Sequence, residues 1–167
     1  VFLPQGHRKS DNRPAIVFFF GGGWKSGSPT QFEHHCRYLA ARGLVAITAD
    51  YRVAKRHAVK PVSCVADAKS AIRWTRSNAS DLGIDPNRII AGGGSAGGHI
   101  AACTGTLDKY DEASEDRSIS SIPNAMALFN PVLVLAPVGD KLPFDKKRLS
   151  DISARLGVEP EMLSPYH

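Results

Sequence analysis

Short unbroken apolar runs alternate along the chain with longer stretches in which apolar residues recur every three or four positions. The run Ala15–Phe20, rich in β-branched and aromatic residues and closed by glycines, predicts a buried strand. In the following "PTQFEHHCRYLAARG", Phe32, Cys36, Leu39 and Ala40 fall on one helical face and Gly43 is the stop signal. "LVAITADYR" predicts a second strand. From Pro61, which suits a first helical turn, Val65, Ala68, Ile72 and Trp74–Thr75 recur near a 3.6-residue period, so a long helix is expected. "GIDPNR" predicts a turn, "IIAGG" a short third strand and "AGGHIAACTGTLD" a helix after it. A polar stretch, "DEASEDRSISSIPN", predicts a loop before a fourth strand, "AMALFNPVLVL", broken at Asn130-Pro131. Beyond Ala136 the chain turns Pro-rich and charged, with short helices expected around Leu149–Leu156 and near Pro160–Leu163. Strands alternating with helices, without a hairpin signal, predict an α/β fold with a mostly parallel central sheet and helices on both faces.

Composition narrows the picture little. The 167 residues are 43% hydrophobic and 22% charged, as expected for one globular domain with a core. The apolar runs are strand-sized, far short of the roughly 20 residues a membrane-spanning helix needs. Net charge is +5, but the basic residues are scattered. The densest cluster, Asp145–Arg148, contains its own acid, and no aromatic-basic RNA motif or zinc-finger spacing accompanies it, so no nucleic-acid partner is expected. Cys36, Cys64 and Cys103 are isolated and odd in number, which fits buried free thiols better than a disulfide framework or metal knuckle. The opening residues lack a signal-peptide layout. They also lack Met, so an upstream segment is expected to have been removed or left out.

The chemistry concentrates where glycines do. Five of them surround Ser95 between an apolar run and a helix, although each glycine inside an element costs roughly 0.5–1 kcal/mol relative to alanine. Gly93-Gly94-Ser95-Ala96-Gly97 satisfies G-x-S-x-G, a sharp strand-to-helix turn that lifts a nucleophilic hydroxyl above the carboxyl end of a sheet. Gly92, Gly94 and Gly97 also spell the dinucleotide fingerprint G-x-G-x-x-G. That reading wants an acid at the end of the next strand, where the sequence has a polar loop, and leaves a second glycine run, Gly21–Gly23, unexplained. A phosphate loop is excluded there because Trp24 precedes Lys25-Ser26. Bare amides facing an oxyanion account for the run better.

"FGGGW", "ADYRV", "LGIDPNRI" and "GGSAGGH", in this order, resemble the α/β-hydrolase-fold serine esterases of the hormone-sensitive-lipase-like and acetylesterase-like group, from about Ala15 to Pro131. The resemblance implies Ser95 as nucleophile and the backbone amides of Gly22, Gly23 and Ala96 as oxyanion donors. It implies a carboxylesterase acting on short acyl, acetyl-type esters, with a small ester as its partner and no metal or organic cofactor. Two departures stand out. Phe20 occupies the place where the family's glycine motif usually opens with histidine, so the loop is expected to be held by packing. The family also carries its catalytic acid and histidine on later strands. This chain stops at "SPYH", so it resembles the middle of an esterase cut at both ends, with an incomplete fold.

One domain over 1–167 is expected, its core at about 15–131 and a cap-like insertion at 136–165. An exposed sheet edge would favour a homo-oligomer. After Ser95 the histidines are His99, expected to pack, and His167, for which Asp140 is the only well-spaced acid. His34, His35 and His57 are expected on exposed helix or loop surface. Asp50, Tyr51 and Arg52 are expected to brace the loops, and Asp85 and Arg88 to shape the turn before the third strand. Asp67 is expected to be solvated or capping. Trp24 either lines the pocket or caps the core beside the glycine loop. A second reading keeps an acyl-binding pocket without a complete triad, inactive alone or active when another segment complements it.

Overall fold

The computed structural model describes residues 1–167. Its elements are β1 (Arg13–Phe19), α1 (Glu33–Ala40), β2 (Val45–Ala49), α2 (Ala54–His57), α3 (Pro61–Ser77), α4 (Ala79–Leu82), β3 (Ile84–Gly94), α5 (Ala96–Thr106), β4 (Ala125–Phe129) and α6 (Lys146–Leu156). Short 3-10 turns cover Lys9–Asp11, Pro29–Phe32 and Pro160–Leu163. The strands pair in the order β2-β1-β3-β4, all parallel. Phe2 adds one antiparallel bridge to Ala46 on the outer side of β2.

Alternation along β1 builds two cores of unequal size. Ala15, Val17 and Phe19 point to the face covered by α3 and α5, where Val65, Ala68, Ile72, Ile100 and Cys103 are buried with them. Ile16 and Phe18 point to the other face, against Phe32 and Cys36 at the start of α1. Helices therefore lie on both faces, as expected, but the second face has one helix for four strands. An apolar groove stays open there, lined by Ile16, Phe18, Leu39, Ile90, Ala127 and Phe129, with Phe129 46% exposed. Cys36, Cys64 and Cys103 are free and buried, and burial pushes the Cys36 thiol up to about 11.

Four expectations are corrected. "GIDPNR" is not a turn ahead of the strand: β3 begins at Ile84, opposite Arg13, and resumes at Ile89, opposite Ala15. Pro14 has no N–H to donate, so the ladder breaks beside it and Asp85–Arg88 bulge out. Asp85 closes that bulge, accepting from the Asn87 amide and the Arg88 guanidinium, both at 2.8 Å. The fourth strand breaks at Asn130-Pro131 as expected, where Asn130 turns at φ 39° and Pro131 offers no amide, but it does not resume over residues 132–135. Trp74 leaves the apolar face of α3 and is 50% exposed, while Thr75 is buried. Asp67 is not solvated: it holds the Arg52 guanidinium and accepts the Arg52 amide at 2.7 Å.

The polar loop between α5 and β4 is pinned to α3. Lys69 reaches Asp111 at 2.9 Å, and Arg73 reaches Asp111 and Glu115, both at 2.6 Å. Both cations are buried. Arg73 and Lys69 keep the Asp111 carboxyl below the usual carboxylate range, although burial, the largest single influence, works against them. At the other end of the chain, Leu135, Ile152, Leu156 and Leu163 join the larger core.

Candidate active site

The path from β3 into α5 reverses at one residue. Ser95 sits at φ 53° and ψ −118°, backbone angles an L-residue adopts only under constraint. Two bonds supply it: the Ser95 amide donates to the Phe129 carbonyl at 3.0 Å, and the His99 amide to the Ser95 carbonyl at 2.9 Å. The elbow also presses against β1. A Cβ on Gly97 would overlap the carbonyl oxygens of Phe19 and Phe20, so only glycine lets α5 start this close to the sheet. The positive end of α5 then lies beside the serine.

Ser95 opens into a cavity of about 400 Å³, lined also by Gly21, Gly22, Gln31, Phe32, His35, Gly94, Phe129 and Asn130. Gly22 and Ser95 thus face one space. Gly23 and Ala96 each follow a lining residue in the chain and lie outside the lining. The amides of Gly22 and Gly23 donate to no group of the protein. Ala96 is the first residue of α5, where an amide has no partner within the helix.

Packing alone does not hold the glycine loop, contrary to expectation; three side chains from three elements hydrogen-bond to it. The Tyr51 hydroxyl, just past β2, donates to the Phe20 carbonyl at 2.6 Å, and the two rings stack at 4.1 Å. Gln31, in the turn before α1, accepts the Gly21 amide at 2.6 Å. Trp24 donates from its indole nitrogen to His99 Nδ1 at 3.2 Å. An indole N–H only donates, so the His99 proton sits on Nε2, which donates to the Leu163 carbonyl at 2.8 Å. His99 is fully buried, and desolvation draws its imidazole down from 6.5 to about 4. Phenylalanine at position 20 thus leaves a loop secured by other side chains. Trp24 is buried beside the loop and does not line the cavity.

Apart from His35, which lines the cavity, the remaining titratable residues weighed from the sequence lie away from Ser95. His167 spends its ring nitrogens on the Ser164 hydroxyl at 2.9 Å and the Pro137 carbonyl at 3.1 Å, and bonds neither Asp140 nor Ser95. Asp140 is exposed. Asp50 pairs with Arg56 at 2.6 Å, and Arg52 with Asp67 at 2.7 Å and Glu112 at 3.2 Å. His57 accepts the Val53 amide at 3.1 Å. No three His, Cys, Asp or Glu side chains converge as a metal site would require.

Two cavity residues escape a reading of the sequence: Gln31 and His35. His35 is exposed on α1, as expected, and its ring also lies beside those of Phe18, Phe32 and Phe129, with centroids at 6.1, 5.1 and 5.9 Å. The available signal was their i, i+4 spacing just after the glycine run, which puts both on one helical face.

The chain matches the BD-FAE family over residues 1–147. Carboxylesterase NlhH of Mycobacterium tuberculosis is 36% identical over 98 residues, covering 58% of this chain and 30% of that protein. An arylesterase of Saccharolobus solfataricus is 33% identical over 116 residues, covering 69% of this chain and 37% of its own length. Among solved structures, Thermogutta terrifontis esterase 2 phosphonylated by sarin superposes with a TM-score of 0.94 at 54% identity, over 99% of this chain and 60% of that one. The same esterase with butyrate bound gives 0.90 at 54% identity. The chain therefore spans less than two fifths of these curated relatives and three fifths of the solved esterase. A parallel sheet with a serine elbow at its carboxyl edge, matched at this identity, makes the chain a member of the BD-FAE family with the α/β-hydrolase fold in part.

Proposed function

We propose that the chain carries the nucleophile and oxyanion half of a serine carboxylesterase for short acyl esters. The observation that carries this is Ser95, held in a left-handed elbow and facing one cavity with a glycine loop whose Gly22 and Gly23 amides are unpartnered. Ser95 Oγ attacks the ester carbonyl as its proton passes to a general base. The carbonyl oxygen takes the negative charge and is met by the amides of Gly22, Gly23 and Ala96. Each such donor contributes roughly 2.7–4 kcal/mol in comparable sites. The alkoxide leaves with the proton, and water releases the carboxylic acid from Ser95 by the same steps.

No imidazole or carboxylate among residues 1–167 is hydrogen-bonded to Ser95. The reading therefore assigns the base and its orienting acid to a further segment, of the kind the longer relatives have room for. A cavity of about 400 Å³ suits a small acyl group, and the related esterase has been solved with butyrate bound.

The test is steady-state hydrolysis of p-nitrophenyl acetate by the chain and by Ser95→Ala. Turnover that disappears in the variant would support Ser95 as nucleophile but put a base within residues 1–167 or across a dimer, against its assignment to a further segment. Equal rates near background are what the reading expects of a half-built site that another segment must complement. Loss of the base from a serine hydrolase costs on the order of 10⁶ in turnover, so the two outcomes are far apart.

A further inference from the structure

Gln31 is the one side chain lining the Ser95 cavity that hydrogen-bonds to the glycine loop. It lies in the turn Pro29–Phe32 leading into α1, and its Oε1 accepts the Gly21 amide hydrogen at 2.6 Å. A backbone amide only donates, so this bond settles which end of the carboxamide faces the loop. The Gly21 amide is thereby withdrawn from any ligand, while those of Gly22 and Gly23 remain free.

Gly21 is also the contact point between loop and elbow. A Cβ there would stand 3.0 Å from the Gly94 carbonyl oxygen and 3.4 Å from Ser95 Cβ. The spacing between the loop amides and the serine is therefore set at this residue. Tyr51 holds the residue before it, and His99 holds Trp24, the residue directly after the free amides. Gln31 is the clamp directly before those amides, and the one of the three that lines the cavity.

We propose that Gln31 is a positioning residue: its bond to Gly21 sets where the Gly22 and Gly23 amides stand relative to the Ser95 hydroxyl. The proposal rests on the roles assigned above to Ser95 and the glycine amides, and it makes a side chain outside the glycine motif responsible for oxyanion geometry. Gln31 touches no reacting atom, so its removal acts on turnover through the loop.

The test compares Gln31→Met, which keeps length and loses the acceptor, with Gln31→Glu, which keeps an acceptor at the same distance. Both are made in the ¹⁵N-labelled chain. In Gln31→Met the Gly21 amide should exchange with solvent about tenfold faster, the loss of one hydrogen bond. The Gly22 and Gly23 resonances should shift, while amides in α5 keep their protection. Gln31→Glu should restore the Gly21 protection and the two resonances. Where the chain turns over p-nitrophenyl acetate, Gln31→Met should lower kcat by about tenfold or more with KM nearly unchanged, since misplaced donors act on the transition state. Unchanged exchange and resonances in Gln31→Met would overturn the proposal, as would a rise in KM alone or a Gln31→Glu variant no better than Gln31→Met. Turnover above background that Ser95→Ala retains would mean that the catalytic reading fails, whereas equal near-background rates are those of a half-site without its base. Exchange and resonances then decide the position of Gln31 by themselves.

Discussion

Replacing Gly97 with alanine would drive a methyl group into the carbonyl oxygens of Phe19 and Phe20, where backbone on both sides leaves nothing flexible to yield. The variant should lose about 3 kcal/mol, seen as a lower urea midpoint at unchanged slope. His99 predicts a pH dependence of another kind. Its imidazole is neutral when folded, with a value of about 4 against 6.5 ordinarily. Above about pH 6.5 neither state binds the proton, and stability is full. Between there and about pH 4 only the unfolded chain binds it, so stability falls as pH falls, by roughly 3 kcal/mol in all. His99→Gln, which can still accept from Trp24, should flatten that part of the urea-midpoint profile. An unaltered slope in the variant would show that other groups carry the acid loss.

At the scale of elements, the loop between α5 and β4 is held by charges in the flank of α3. Lys69 and Arg73 have side chains only 3% and 7% exposed, and Asp111 answers both. Removing one partner of a buried pair leaves the other desolvated and unpaired. Asp111→Ala should therefore destabilise the fold by about 3–5 kcal/mol, measured by urea unfolding, whereas Asp81→Ala, losing an exposed pair with Lys9, should leave the urea midpoint nearly unchanged. The sequence shows this stretch only as polar and acidic. Nothing in its spacing says that cations about two and three turns into a helix are waiting for it.

For the molecule as a whole, the unequal cores matter most. Only α1 covers the second face of the sheet, and the groove over Ile16, Phe18, Ile90 and Ala127 stays open beside the unpaired edge of β4. An exposed strand edge next to an apolar groove favours pairing with another chain. The isolated chain should associate with rising concentration in sedimentation equilibrium, and Ala127→Lys, which places a charge in the groove, should weaken that association. A wild-type chain that stays monomeric at every concentration would refute this.

The alternation of apolar runs with 3.6-residue patterns was enough to establish a parallel α/β sheet, because buried strands and amphipathic helices bury different periods of side chain. The glycines around Ser95 marked the elbow, because only their missing Cβ atoms permit so close a crossing. The sequence could not show the bulge beside Pro14, Asp67 against Arg52, the buried Lys69–Asp111–Arg73 cluster, or Gln31 on Gly21. Each depends on residues far apart in the chain, or on a backbone path set by its neighbours. Local spacing carries the periodicity of elements, but a hydrogen bond between two of them exists only once packing has brought their ends together.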